Sequence, residues 1–352
     1  MNKIDNQISQ IIKQENLVRV RDSNFTSIKV SVFVLCYNHE KYLQRFFESV
    51  LDQKVNFGVE IVINDDCSTD GSRKIIGEFS KRYPNIIVPI YQKENCYKNN
   101  RSKIFKDLYN RCKGQYLALC ESDDYYCDEH KLLIQSTLMD ENPDIYFSSH
   151  YVNKIDSQSD KKIGSIPEKK IHSGIFEDRY VFDLFRSYQH PQTSSYFIRK
   201  DRYGVFVKEC GNLSRIVSFD DMSAMLLSTY GGEFLFVNRY MTNYSYLVDG
   251  GWISKKQQET AEKAILSNEN YIIYCNRINE LTNKKFDSEL TDLANKKKIN
   301  VLFLKEDLKS IFSDKTMTKY LKKKSYKSYV VLSLKYKHPK LYKLLKGKRN
   351  EK

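Results

Sequence analysis

The sequence predicts an α/β fold: a Rossmann-like, mostly parallel sheet flanked by helices, with a helical C-terminal extension. Three observations predict it. Short β-branched apolar runs alternate with segments of helical period from residue 29 to about 150. Acidic residues gather directly after two of those runs, at the strand ends where ligands bind in such sheets. From residue 255 to 312 the apolar spacing is helical, with 257–281 the longest periodic stretch.

Taken in order, residues 1–28 are polar with a weak helical pattern and read as an N-terminal extension. Val30–Cys36 is apolar and β-branched, a buried strand. Glu40–Leu51 places Tyr42, Leu43, Phe46, Phe47, Val50 and Leu51 on one stripe, a helix. Strands follow at 59–63, 86–91, 116–120 and 145–149. Helices are expected at 72–83, from the nineties to Cys112, and at 131–139, the first ending before Pro84. Residues 151–175 read as a polar loop or hairpin, and 176–250 as mixed helix and strand. The expected division is an extension (1–28), a main domain (29–254, halves 29–150 and 151–254), a helical region (255–314) and a basic tail (315–352).

The chain of 352 residues is 41% apolar and 13% aromatic, which excludes a wholly disordered protein. No apolar run reaches the roughly 18–20 residues of a membrane-spanning helix, and the first ten residues carry no apolar signal segment. None of the eight cysteines forms a C-x-x-C pair, so a zinc site lacks support and a reducing cytoplasm is expected. The net charge of +14 is concentrated: residues 315–352 hold 14 Lys and Arg against Glu351 alone. Lysines interleaved there with Tyr, Val and Leu suit an interfacial helix pair on anionic lipid, broken at Pro339. The other readings are a solvated tail or a polyanion-binding protein. The nearly neutral body argues against nucleic acid, and no nucleic-acid partner is expected.

Three stretches carry a closer message. Val30-Ser-Val-Phe-Val-Leu-Cys-Tyr-Asn38, Glu60-Ile-Val-Ile-Asn-Asp-Asp-Cys-Ser-Thr-Asp-Gly71 and Gly114-Gln-Tyr-Leu-Ala-Leu-Cys-Glu-Ser-Asp-Asp-Tyr-Tyr126 stand in register with the strand ends. Together they resemble the family 2 glycosyltransferases of GT-A fold, closely over 30–150 and loosely over 176–255. The resemblance implies an inverting transfer from a nucleotide-sugar, expected to be UDP-linked, to a glycan or lipid-linked glycan in bacterial surface polysaccharide synthesis. The enzyme would be peripheral on the inner face of the cytoplasmic membrane. The alternative is a non-catalytic nucleotide-sugar-binding protein. A sugar-phosphate nucleotidyltransferase is disfavoured because Leu35-Cys-Tyr-Asn-His39 is no Gly-rich phosphate loop.

The same resemblance implies donor contacts from Leu35, Tyr37, Asn38, Asp66, Asn95, Arg101, Glu121, Ser122 and Asp123, with Asp66 accepting from a uracil N–H. Asp123 and Asp124 would hold Mn²⁺ or Mg²⁺, since carboxylates crowded at a strand end need a counter-charge. Asp65 and Asp66 also suit helix capping. Arg101 and Lys103 read as phosphate contacts or as plain surface cations. Tyr97 stands where the family has Gly, and Glu121 where Asp is commoner. Asp221, second of the Asp220-Asp221 pair, matches the general base. His190 is the competing base or an acceptor contact. Tyr244-Ser245 lacks the arginine usual before the Gly250-Gly251-Trp252 loop, and the processive-synthase signature Q-x-x-R-W is missing.

Overall fold

A computed structural model describes residues 2–187, 189–213, 232–246 and 260–340. Asp220, Asp221 and Gly250–Trp252 lie outside the described residues. The chain divides into two compact units, 1–254 and 255–352.

The first unit opens with α1 (Lys3–Ile11), which buries Ile4, Ile8 and Ile11 one turn apart in the main core. The extension is therefore packed on the body. A short strand β1 (Val18–Arg19) precedes β2 (Ile28–Cys36). Helix α2 (Glu40–Leu51) buries Leu43, Phe46, Phe47, Val50 and Leu51, the stripe expected from sequence. After β3 (Lys54–Val55) and β4 (Gly58–Asp65), α3 (Ser72–Arg82) stacks Phe79 on Phe47 of α2 at 4.5 Å between ring centroids. Then come β5 (Ile87–Tyr91), α4 (Cys96–Asn99), α5 (Arg101–Arg111), β6 (Tyr116–Glu121), β7 (Tyr125–Tyr126) and α6 (Lys131–Asp140). The acceptor half comprises β8 (Ile145–Asp156), β9 (Lys162–Ile166), β10 (Gly174–Glu177), α7 (Asp178–Arg186), β11 (Phe197–Arg199), α8 (Lys200–Leu213) and β12 (Glu233–Tyr246).

Among the described residues these strands form a ten-stranded sheet ordered β10-β12-β8-β11-β6-β2-β4-β5, with β7 on β12 and β9 on β8. The β6-β2-β4-β5 stretch is parallel, with Val32 of β2 opposite Ile61 of β4 and Ala118 of β6. β11 enters antiparallel between β6 and β8, pairing Ile198 with Leu117 and with Phe147. β8 and β12 run parallel over their whole lengths. The strand expected at 145–149 therefore continues to Asp156 and turns into a hairpin with β9. Polar residues there alternate on a ladder paired on both sides, so composition alone reads as loop.

Gly114 shows why β6 begins where it does. A Cβ at Gly114 would sit 2.5 Å from the Ser31 amide nitrogen, inside contact distance of the β2 backbone. The Gly114 N–H donates to Ser31 Oγ (2.8 Å), and Ser31 Oγ donates to the buried Glu60 carboxylate (2.6 Å). The glycine thus lets three strands share one buried polar link.

The second unit holds α9 (Ala261–Leu281), α10 (Asp287–Leu304), α11 (Leu308–Ser313), α12 (Lys315–Lys324) and α13 (Tyr326–Lys337). Ile299, Leu308, Ile311, Met317 and Leu321 form its own small core. The helix α13 ends at Lys337, just before Pro339 as expected, and an earlier break falls at Ser325, whose side chain accepts from Ser328 N–H and caps α13. No helix among the described residues is long and apolar enough to cross a membrane.

Candidate functional site

The candidate site lies at the carboxyl ends of β2, β4 and β6, where the strand order reverses around β2. The strand ends are stitched together there. The Leu35 carbonyl accepts from Ser122 N–H (3.0 Å) and the Cys36 carbonyl from Asp66 N–H (2.9 Å). Asn38 adopts φ 57°, a left-handed conformation that asparagine tolerates. Its N–H donates to Ser68 Oγ (2.9 Å) and its Oδ1 accepts from Thr69 N–H (2.8 Å), latching the loop after β2 to the loop after β4. Tyr37 beside it is exposed.

The two acidic residues after β4 have separate tasks. Asp65 is buried and accepts from Arg73 Nε at 2.6 Å, an ion pair that also ties α3 to the strand end. Asp66 accepts from Cys96 N–H (2.7 Å) and Tyr97 N–H (2.9 Å), one backbone donor on each oxygen. Asn95 Nδ2 reaches the Asp66 carbonyl at 3.4 Å. Burial raises the Asp66 carboxyl above the usual carboxylate range, and the two N–H bonds pull it back. Sequence reasoning gave Asp66 a base N–H. The structure shows it anchoring the loop that carries Tyr97, with one lone pair left on each oxygen. Arg101 stacks its guanidinium 4.1 Å from the Tyr97 ring centroid. Lys103 donates to Gln92 Oε1 and Asp107 Oδ2, both at 2.6 Å, so its charge is neutralised within its own helix and strand end.

The acidic turn after β6 divides the expected metal pair. Glu121 is half-buried. Asp123 Oδ1 is buried with no hydrogen-bond partner among the described residues. Asp124 is spoken for: its Oδ1 accepts from Ser245 N–H (2.9 Å), and Gln192 Nε2 lies 3.5 Å from its Oδ2. Ser245 Oγ donates to the Asp123 carbonyl (2.5 Å). Register shifts in β12 between Val237 and Thr242 precede this contact. Such bulges re-aim side chains beside sites. A buried carboxylate oxygen without a donor is the feature a hard cation satisfies, so the residues fit a divalent ion held by Asp123 and completed by phosphate oxygens and water. Among the described residues no group of three or more His, Cys, Asp or Glu side chains is arranged as a complete metal cage.

Sequence reasoning missed several residues here. His39 pairs through Nδ1 with Ser122 Oγ at 2.9 Å, and its Nε2 lies 3.8 Å from Asp123 Oδ2. Beneath the turn, Lys131 is wholly buried, bonded to Gln135 Oε1 at 2.8 Å. Gln135 donates on to Ser148 Oγ and the Ser195 carbonyl. Burial pushes the Lys131 ammonium down to about 7 and drives the buried His150 well below its ordinary value. The stretch from Glu121 to Lys131 mixes charged residues with Tyr125, Tyr126 and Cys127, and no local pattern in it marks Lys131 as buried. His190, the competing base, lies with Nδ1 3.0 Å from the Pro191 carbonyl. The primary base candidate, Asp221, lies outside the described residues.

The fold and this strand-end constellation define an α/β architecture of the GT-A kind. Residues 31–201, just under half of the chain, match the family described as Glycosyl transferase family 2 and form a domain of that family. It is similar to the uncharacterized protein Rv1520 of Mycobacterium tuberculosis, 37% identical over 126 residues, 36% of each chain. It is also similar to the putative teichuronic acid biosynthesis glycosyltransferase TuaG of Bacillus subtilis, 37% identical over 95 residues, 27% of this chain and 36% of that one. The matches span about a third of these relatives' lengths. Among solved structures, S. aureus TarS residues 1–349 with UDP-GlcNAc superposes with a TM-score of 0.50 at 15% identity, covering 77% of this chain and 79% of that one. The mannosyltransferase PcManGT of Pyrobaculum calidifontis, in complex with GDP-Man and Mn²⁺, gives 0.50 at 10% identity, covering 96% and 88%. These likenesses establish the shared fold.

Proposed function

We propose that this protein transfers a sugar from a nucleotide-sugar, UDP-linked, to a hydroxyl of a glycan or lipid-linked glycan, with inversion at the anomeric carbon. The observation that carries the reading is the open, buried Asp123 Oδ1 at the end of β6, at the same strand-end edge of the sheet as the segment that Asp66 anchors. In the proposed reaction the acceptor oxygen bonds to the anomeric carbon, the bond from that carbon to the diphosphate oxygen breaks, and the acceptor proton passes to a base. Asp221 is assigned as that base by its motif position. Mn²⁺ or Mg²⁺, when bound, supplies charge that offsets the leaving diphosphate. The family's motifs support this, as do the complexes of TarS with UDP-GlcNAc and of PcManGT with GDP-Man and Mn²⁺. TuaG's name supports a role in bacterial surface polysaccharide synthesis. The lysine-rich α12 and α13 support attachment to the anionic inner face of the cytoplasmic membrane.

The test is a thermal-shift titration with UDP, GDP, CDP and dTDP, each with Mn²⁺ and with EDTA, followed by assay of UDP-sugars for release of UDP. A metal-dependent shift with UDP, and turnover lost in Asp221→Asn while the shift persists, is the expected result. No shift with any nucleotide overturns the reading. Binding without turnover in the unaltered protein would leave a nucleotide-sugar-binding protein. Anomeric proton spectra of the product test inversion.

A further inference from the structure

We infer that His39 is a positioning residue that orients the Asp123 carboxylate, so that Oδ2 is steadied by the imidazole and Oδ1 is left for a cation. The inference rests on the donor and metal reading above. It starts from how firmly the ring is fixed. His39 stands at the start of α2, and its carbonyl accepts from Tyr42 N–H and Leu43 N–H. Its own N–H donates to Ser72 Oγ at 3.0 Å, tying it to α3. The ring meets the Tyr42 ring edge-on with centroids 6.0 Å apart. Main chain and ring are thus held on three sides before Asp123 is considered.

The hydrogen-bond polarity then sets the tautomer. Ser122 Oγ touches both the buried Cys36 thiol and His39 Nδ1. Burial raises the Cys36 thiol to about 12, so the thiol, set between the Ser122 and Ser72 hydroxyls, is neutral and has a proton to donate. If Cys36 donates to Ser122 Oγ, the serine proton goes to Nδ1, and the remaining ring proton sits on Nε2. That nitrogen lies 3.8 Å from Asp123 Oδ2, an electrostatic contact that orients the carboxylate without a full hydrogen bond. The opposite oxygen, Oδ1, is the buried atom without a partner among the described residues. The relay Cys36–Ser122–His39–Asp123 therefore connects the end of β2 to the acidic turn and fixes which oxygen stays open. Groups that orient a metal-binding side chain in this way typically change metal affinity 10–100-fold when removed.

The experiment uses the full chain. Mn²⁺ affinity is measured by electron paramagnetic resonance of free Mn²⁺ at saturating UDP, UDP affinity is measured separately in EDTA, and Tm is recorded for each protein. His39→Phe keeps a ring against Tyr42 and removes both nitrogens; His39→Gln restores a donor. The expected result is a loss of Mn²⁺ affinity of roughly tenfold or more in His39→Phe. UDP affinity in EDTA should be unchanged within twofold, and His39→Gln should recover most of the loss. Equal Mn²⁺ affinity in His39→Phe and the unaltered protein overturns the inference while leaving the donor site intact. A parallel loss of UDP affinity in EDTA, not rescued by His39→Gln, shows a purely structural residue and overturns it as well. If the unaltered protein binds neither UDP nor Mn²⁺, the underlying functional reading fails first and takes this inference with it.

Discussion

Lys131 gives the sharpest stability prediction. Its ammonium is fully buried, with one hydrogen bond to Gln135 and the rings of Tyr126 and Phe197 at 4.5 and 6.0 Å, and it makes no ion pair among the described residues. Burial lowers its pKa from 10.5 to about 7. Between those values the unfolded chain holds a proton that the folded chain has released, so this group's contribution to stability rises with pH across that window. Below about pH 7 the folded state carries the buried charge and the penalty is fully present, on the order of 5 kcal/mol. Lys131→Met removes the titration. It also leaves Gln135 Oε1 without its donor, a pH-independent cost of about 1–2 kcal/mol. Urea unfolding of both proteins at pH 7, 8 and 9 and equal ionic strength isolates the lysine, because the other titrating groups cancel in the difference. The stability of the variant relative to the unaltered protein should fall by up to about 1.4 kcal/mol per pH unit. A difference that stays constant from pH 7 to 9 would refute the argument, since the lysine would then hold the same protonation in both states.

Three further outcomes are expected. Asp123→Asn should abolish the Mn²⁺-dependent part of the UDP thermal shift and spare the part seen in EDTA; loss of both would mean that Asp123 shapes the nucleotide pocket itself. Gly114→Ala should destabilise by about 1–3 kcal/mol in urea unfolding, because its Cβ meets the rigid β2 backbone; a neutral change would show that β2 and β6 can part without strain. The full chain should sediment with phosphatidylglycerol vesicles at about 0.1 M salt and be released as salt approaches 1 M, while ignoring neutral vesicles. Exposed Val330 and Val331 on α13 supply the apolar contact, so binding that survives high salt would point to insertion instead of charge.

The parallel half of the fold was legible because its strands are buried on both faces. Runs such as 30–36 and 59–63 are apolar except at Ser31 and Glu60, and α2 shows its stripe outright. Motif order also revealed which loops converge. What stayed hidden was polar and non-local. The extension of β8 to Asp156 depends on β12, whose pairing partners lie far along the chain, and no local pattern encodes that. Lys131, Gln135 and Glu60 are core residues of types normally found outside, so burial could not be read from their identity. Asp123 and Asp124 look interchangeable in sequence. Distant residues separate them: Ser245 and Gln192 meet the Asp124 carboxylate, while His39 faces Asp123 and leaves one of its oxygens open.

That last tie bears on how the molecule is assembled. The shared family segment ends at residue 201, yet the backbone N–H and hydroxyl that hold the acidic turn belong to Ser245. During synthesis the β6 turn emerges long before β12 does, and the turn spends that interval without its brace. A nascent or truncated chain ending near residue 201 would possess every family motif up to that point and still lack the strut on Asp124. The brace on the acidic turn therefore arrives late, with the closing of the β8–β12 pair, and fragments cut to the family boundary lack it.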